Sequence, residues 1–329
     1  MMEKTRTDLI NKVRALFQEK KVDLVIGFQA GSRPLTNAPV FVHEAAQADR
    51  LVADVFGQAN LARFLPEIFR TAVSNKQEAP RVGIVARGCE ARSVVSLIAE
   101  KQMPREAVVI IGLPCAGIVD RARLSAAAGE KIDSCVLDKG TVVCRTGSGE
   151  KKIPLERVLA ESCGECDYPF HAAADVVIAG ESRKPAVKKY ERQTALAAQS
   201  VAARRERFRA ELSKCIRCNA CRQACPNCYC RTCFADQTGP RWISPGDDLS
   251  DVMLYHLGRI FHQAGRCVGC DACVRACPRG VDLRLFTQKL AQDAEELFEF
   301  SPGRAAESAP LFCAFREDDD MSFITEAKG

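Results

Sequence analysis

Apolar residues recur at Leu9, Ile10, Val13, Leu16 and Phe17, the spacing of one helical face, and predict an amphipathic helix at the start of the chain. Residues 22–28 (VDLVIGF) form a short apolar run that reads as a buried strand. A turn-rich stretch at 31–39 leads to a second strand at 40–43. Residues 60–73 return to helical spacing through Leu61, Phe64, Leu65, Ile68 and Phe69. Strand 82–86, helix 90–101 and strand 107–112 (AVVIIG) follow in alternation. Continuous apolar runs between helices are what a parallel sheet covered on both faces requires. Segments 134–136 and 141–144 flank Asp138-Lys139-Gly140 as a hairpin, 155–161 reads as a helix, and 175–179 (DVVIA) as the last core strand. Residues 1–180 are therefore expected to form an α/β domain with a mostly parallel sheet.

The pattern then changes. Residues 181–213 are rich in Ala, Arg, Lys and Glu with sparse apolar points at Leu196, Phe208 and Leu212, which suits an exposed helical linker with a solvated charged face. Helices are expected at 248–263 and 286–300 within a mainly helical unit spanning 214–300. Residues 301–329 remain as a tail, acidic at 317–320.

At 329 residues the chain can hold two cores, and 47% hydrophobic with 27% charged content describes a soluble globular protein. The first 21 residues lack an apolar signal core, and no apolar run has membrane-spanning length. The expected location is a reducing cytoplasm, because the 18 cysteines cluster in metal-type spacings. The formal charge of +5 is not read as a nucleic-acid footprint. Three cubane clusters of roughly −2 each would bring the chain near neutrality. Aromatic content is only 6%, with no basic run interleaved with stacking residues.

The chemistry is concentrated between Cys215 and Pro278. Cys215-x2-Cys218-x2-Cys221-x3-Cys225-Pro226 is repeated as Cys267-x2-Cys270-x2-Cys273-x3-Cys277-Pro278. This is the spacing by which bacterial-type ferredoxins hold four-iron four-sulfur clusters, with the fourth cysteine of each run crossing to the other cluster. Cys215, Cys218, Cys221 and Cys277 are assigned to one cluster, and Cys267, Cys270, Cys273 and Cys225 to a second. Zinc is the competing occupant, but zinc sites favour two spaced pairs over a triplet plus one.

Four cysteines of the α/β part sit where strands begin or end. Cys89 follows the strand at 82–86, Cys115 the strand at 107–112, and Cys163 with Cys166 forms a C-x2-C pair before 175. Ligands collect beyond the carboxyl ends of strands in such sheets, so a third cluster on these four is expected. The bland reading, small buried thiols at strand ends, stands beside it. Cys135 and Cys144 are substitutes, though they face each other across the hairpin.

Gly88-Cys89-Glu90-Ala91-Arg92, Gly112-Leu113-Pro114-Cys115 and Cys163-Gly164-Glu165-Cys166-Asp167, followed by Ala174-Asp175-Val176, together resemble one family. It is the beta subunits of coenzyme F420 (deazaflavin) reducing hydrogenases and the related formate dehydrogenases. The resemblance implies a flavin-binding α/β domain, with FAD as a further cofactor. It also implies a cluster on Cys89, Cys115, Cys163 and Cys166, and ferredoxin-type clusters leading to a partner subunit. Here the ferredoxin-type run follows the α/β part, whereas in many deazaflavin-linked members it precedes it. Gly31-Ser32-Arg33 and Gly88 are the candidate flavin contacts, against the reading of an ordinary turn.

Cys228, Cys230 and Cys233 follow the first run and would form a fourth site only with a distant ligand such as Cys313. His256 and His262 do not share a helix face, and no nucleophile context for hydrolysis is present. The expected function is an iron–sulfur electron-transfer subunit of a multi-subunit oxidoreductase of hydrogenase, formate dehydrogenase or heterodisulfide-reductase type. The alternative is a flavin-containing catalytic subunit that reduces deazaflavin or another soluble acceptor.

Overall fold

The computed structural model describes residues 2–169, 173–305 and 309–312; Cys313 and the acidic stretch 317–320 lie outside the described residues. Helix α1 (Met2–Gln18) buries Leu9, Ile10, Val13 and Leu16 along one stripe, as its periodicity requires. Strand β1 (Leu24–Ala30) turns back into β2 (Asn37–Val42). Helix α2 (Leu65–Ser74) then leads to β3 (Val82–Ala86), α3 (Gly88–Ala99) and β4 (Val108–Gly112). The last strand, β8 (Val176–Val177), completes a sheet of order β2-β1-β3-β4-β8. β1, β3, β4 and β8 run parallel, and β2 is an antiparallel edge.

The two-residue period divides the strands between two cores. Ile26, Ile84 and Ile110 pack with Phe69 and Val94 on one face, while Val25, Val85 and Ile111 meet Leu9, Val13 and Leu16 of α1 on the other. β8 is shorter than the five residues expected. The Asp175 carboxylate accepts from Ile110 N at 2.7 Å, so a side chain satisfies a donor that another ladder residue would have taken.

Between β4 and β8 the chain makes an excursion. Helix α4 (Arg121–Ala128) leads into a three-stranded meander of β5 (Ile132–Asp138), β6 (Thr141–Thr146) and β7 (Gly149–Pro154), the last not anticipated. The helix expected at 155–161 is split into α5 (Leu155–Val158) and α6 (Glu161–Gly164). Leu159 between them is extended and bridges Val119, closing the root of the excursion.

The segment expected as one exposed linker folds back. Helices α7 (Glu191–Ala197) and α8 (Val201–Leu212) are separated at Ser200, whose hydroxyl accepts from Ala203 N at 3.2 Å. Leu196 and Phe208 pack with Phe286 in one apolar cluster, while the charged face of α8 is solvated. The remaining helices are α9 (Ala220–Ala224), α10 (Leu249–His262), α11 (Ala272–Arg275) and α12 (Leu283–Phe298). Among the described residues no helix is long and apolar enough to cross a membrane.

The α/β and helical parts are joined largely through arginines. Buried Arg92 of α3 donates to Pro302 O at 2.8 and 3.1 Å and to Val268 O at 3.3 Å. Arg275 donates to Gln58 O at 2.9 Å, and Arg266 pairs with Glu100 at 2.7 Å. Arg284, also buried, pairs with Glu165 at 2.6 Å and stands 3.6 Å from Asp271.

Candidate metal centres

The two ferredoxin-spaced runs follow the same backbone path. Arg217 and Gly269, each just before the second cysteine of its run, have φ of 50° and 72°. Asn219 and Asp271, each just after it, have φ of 60° and 61° and open α9 and α11. Glycine takes this left-handed region freely, and Asn or Asp with little penalty, which accounts for Gly269, Asn219 and Asp271 but not for Arg217. The chain thereby follows the same coil in both runs.

Cys215, Cys218, Cys221 and Cys277 line one cleft of about 340 Å³. Backbone N–H groups are already directed at the sulfurs: Arg217 N donates to Cys215 Sγ at 3.3 Å and Val281 N to Cys277 Sγ at 3.4 Å. His256 Nε2 lies 3.2 Å from Cys215 Sγ. Burial, with Arg259 and Arg217 adding to it, pushes the His256 pKa down to about 4, so the imidazole is neutral at neutral pH.

Cys267 and Cys270 of the second run line a different cavity, of about 810 Å³, whose opposite wall carries Cys89, Cys115, Cys163 and Cys166. Gln288 Nε2 donates to Cys267 Sγ at 3.2 Å. Cys273 and Cys225 lie outside that lining, within electrostatic reach of each other. The hydrogen bond with Cys228, and after it burial, raises the Cys225 pKa; burial raises that of Cys273.

The opposite wall is assembled by the sheet. Cys89 occupies the first turn of α3 directly after β3, and Cys115 follows β4. The closed root of the excursion then returns α6 over the β4 loop, where Ile118 N donates to Cys163 Sγ at 3.2 Å. Gly117 has φ of 103°, and a Cβ there would stand 2.5 Å from Leu159 Cδ2, so a side chain in the turn that seats Cys163 would strain the backbone and displace Leu159. The strap after β8 ties these loops down: Arg183 N donates to Cys115 O at 2.9 Å and Ala186 N to Cys166 O at 2.8 Å.

Burial raises the pKa of Cys89, Cys115 and Cys166, that of Cys115 up to about 12 against the opposing pull of Arg87. As thiols these groups are neutral; binding a cationic centre requires their protons to leave. The donor set therefore fits iron–sulfur clusters: inward-facing cysteines, N–H groups on sulfur, and open space between the thiols. Among the described residues no group of three or more His, Cys, Asp or Glu side chains converges to hold a single ion.

Several residues fall elsewhere. Gly31, Ser32 and Arg33 line a separate cleft at the β1–β2 turn, where Gly31 N donates to Thr36 O at 2.8 Å. Gly88 is buried beside Cys89. Cys135 and Cys144 form a disulfide across β5 and β6, which removes them as ligands. Cys228, Cys230 and Cys233 line a third cavity.

Residues not anticipated include Arg87, whose guanidinium is paired with Glu90 at 2.9 Å inside the protein, and the polar stripe of α10. Along that helix Tyr255, His256 and Arg259 are buried together with Val252 and Ile260. The signal was available: His256 and Arg259 occupy positions of the apolar stripe, where a charge has no place without a partner.

Residues 79–220 match the family described as the C-terminal part of the coenzyme F420 hydrogenase/dehydrogenase beta chain, and residues 211–281 match the 4Fe-4S dicluster domain. The chain is similar to these beta subunits over that part of its length. It is 21% identical to the F420-dependent formate dehydrogenase subunit beta of Methanocaldococcus jannaschii over 93% of this chain and 95% of that one. It is also similar to a chain in the xenon-derivatised structure of the F420-reducing NiFe hydrogenase complex from Methanosarcina barkeri. There the identity is 15% and the TM-score 0.39, covering 51% of this chain and 61% of the other. The beta-subunit match begins before β3 and ends within the first cysteine run, so it takes in Cys89, Cys115, Cys163 and Cys166. The dicluster match takes in both runs.

Proposed function

We propose that this chain is the electron-transfer subunit of a multi-subunit oxidoreductase, working beside a hydrogenase, formate dehydrogenase or heterodisulfide-reductase-like flavoprotein. The observation that carries the reading is the cavity shared between Cys89, Cys115, Cys163 and Cys166 on one wall and Cys267 and Cys270 on the other. Cys215, Cys218, Cys221 and Cys277 would hold one cluster, Cys267, Cys270, Cys273 and Cys225 a second, and the four α/β cysteines a third. Iron–sulfur clusters supply one-electron exchange at potentials set by net charge, hydrogen bonds and burial. The chain's own contribution is to fix those variables: N–H donors on Cys215, Cys277 and Cys163, an amide donor on Cys267, and a junction bridged by buried Arg92 and Arg284. The domain division at 1–180, 181–213 and 214–300 belongs to the same reading, with the α7–α8 segment as a brace for the helical part.

The test is anaerobic purification with iron, sulfide and flavin analysis, followed by dithionite titration watched by electron paramagnetic resonance. About twelve irons with matching sulfide and signals from interacting clusters support the reading. A colourless protein that takes up no electrons refutes it.

A second reading, a flavin-containing catalytic subunit acting on deazaflavin, is favoured by one feature. A crevice of about 1080 Å³ lined by Arg87, Leu113, Cys115, Gly117 and Arg183 opens beyond the carboxyl ends of β3 and β4, where α/β sheets bind ligands. The similarity to an F420-dependent formate dehydrogenase subunit agrees with it. FAD bound to the isolated chain, with turnover of coenzyme F420, separates this reading from the first.

A further inference from the structure

Of the twelve cysteines assigned to clusters above, Cys218 alone is exposed. Its cradle also stands apart from the cavity that Cys267 and Cys270 share with the α/β cysteines, in a cleft of its own. On the electron-transfer reading, on which this inference rests, the cluster of Cys215, Cys218, Cys221 and Cys277 is then the terminus where electrons pass to or from another molecule. Ile216, which lines the cleft, is 55% exposed. Arg217 and Arg279 line it too, with no acidic side chain in its walls. Together they offset the charge of roughly −2 that a cubane cluster carries.

Helix α8 runs into this mouth. Cys215 N donates to Leu212 O at 2.9 Å, Leu212 and Phe208 pack with Cys215 and Cys221, and Arg279 Nε donates to Lys214 O at 3.3 Å. The helix carries Arg204, Arg205, Arg207 and Arg209 at exposed positions. Arg209 has Glu206 at 3.6 Å, whereas Arg204, Arg205 and Arg207 pair with no carboxylate among the described residues. A helix that is merely solvated gains from opposite charges four residues apart; here Arg205 and Arg209 stand at that spacing and repel. The helix therefore gives the mouth of the terminal cluster a positive field beyond what the cluster neutralises.

We propose that α8 and the Cys218 cradle together form the docking face for a diffusible one-electron carrier protein with an acidic surface. Ile216 and the edge at Cys218 take the centre of the contact, and the arginines its rim, where charge raises the rate and specificity of encounter. With 12 residues, α8 extends about 18 Å, within the reach of a contact burying about 800 Å² on each partner. The same field would attract nucleic acid, but its placement beside the one exposed cluster ligand favours a redox partner.

The probe is an acidic two-cluster ferredoxin with a fluorescent label, titrated anaerobically with the full-length, cluster-loaded protein and followed by anisotropy. Binding is expected to weaken about tenfold or more as salt rises from about 0.01 M to about 0.15 M, which shortens the Debye length from about 30 Å to about 8 Å. Arg204→Gln/Arg205→Gln/Arg207→Gln is expected to weaken it about tenfold at low salt, with wild-type iron content. Carbodiimide coupling to the ferredoxin carboxylates, mapped by mass spectrometry, is expected at Lys214. Absence of binding, wild-type affinity in the triple variant, or cross-links confined to other lysines would each overturn the proposal. So would a single-stranded DNA oligonucleotide that binds more tightly than the ferredoxin and loses affinity equally in the variant. Should the variant lose iron, the salt dependence and the Lys214 cross-link of the wild-type protein decide. Failure of the electron-transfer reading is a separate outcome: the loaded protein would take no electrons from dithionite, which is small and needs no docking face.

Discussion

The two walls of the shared cavity are built in opposite ways. On the helical side, Cys267, Cys270 and Cys273 come from one short coil of chain, whose path is repeated at Cys215, Cys218 and Cys221. On the α/β side, Cys89, Cys115 and Cys163 are delivered by the end of β3, the end of β4 and the returning α6, and nothing local holds them near one another. A coil of this kind needs little of the remaining fold, whereas a wall assembled from strand ends exists only when the sheet and the root of its excursion are in place. Loss of packing in the α/β part should thus reach its metal before it reaches the other two cradles.

The largest expected effects compare the walls directly. Cys163→Ala should remove about four of roughly twelve irons and leave the ferredoxin-type resonance signals. Cys277→Ala should remove a similar number, but from the cradle formed with Cys215, Cys218 and Cys221, although Cys277 lies in the other run. Iron counts on both variants, with spectra of the reduced proteins, separate the outcomes; loss confined to the cluster on Cys267 in Cys277→Ala would show that the fourth ligands do not cross over.

Next comes the buried Arg87–Glu90 pair, which anchors the loop carrying Cys89. Glu90 also accepts from Arg87 N at 2.9 Å and from Leu61 N at 3.2 Å, while Arg87 reaches Gly57 O at 2.8 Å. Glu90→Gln keeps the shape and leaves the guanidinium uncompensated, at a cost of about 3–5 kcal/mol. Denaturation followed by iron release should show the α/β wall emptying at lower denaturant than in wild type, with the two ferredoxin cradles still loaded. Simultaneous release from all three would mean that the walls are not independent.

What could be read from the sequence follows the same division. The two cysteine runs were legible because their spacing lies within a few residues and has few competing uses, and the dicluster match covers both. The strands of the parallel sheet were legible because burial on both faces leaves no polar position in runs such as VGIVA. The meander strand β7 was not, because GEKKIP has one buried position and otherwise looks like a polar loop. The linker was read as an exposed helical segment, and α8 is largely exposed, but the break into two helices at Ser200 was not read, because composition reports exposure on average. It does not show that Gln193 and Leu196 turn inward, Leu196 against Phe286 of α12. Arg92 and Arg284 were invisible as structural residues, since an arginine's partners across 100 or 200 positions leave no local pattern.

Arg92 tests the junction itself. Arg92→Met keeps the aliphatic stem but leaves Val268 O and Pro302 O without their donors, at about 1–3 kcal/mol for each acceptor left unsatisfied. The expected result is a single cooperative transition in wild type that separates into two in the variant. Its readout is far-ultraviolet circular dichroism set against cluster absorbance. Because no cysteine is touched, iron content at zero denaturant should stay at the wild-type level; a drop there would place Arg92 in the support of a cluster as well as in the junction.

The smallest effect concerns Cys135 and Cys144, paired on the meander with a sequence separation of 9. Closing so short a loop limits the unfolded chain only modestly, by about 2–3 kcal/mol in a loop-entropy account. Cys135→Ala/Cys144→Ala should therefore lower the melting temperature by a few degrees and leave iron and sulfide unchanged. The location explains the expected neutrality toward metal: Cys144 is buried among Val142, Ile153 and Leu155, in the core of the excursion and not on the cavity wall. The excursion is also closed at its root by the Val119–Leu159 bridge, with Asp120 N donating to Val158 O at 2.7 Å and Ala160 N to Ile118 O at 2.8 Å. Cys163 packs against the same cluster as Cys144, but its seat is held by these bonds at the root rather than by the hairpin. If iron did fall in this variant, the excursion would be part of the α/β wall, and the contrast between a locally encoded cradle and one held by strand ends would have to extend to the meander.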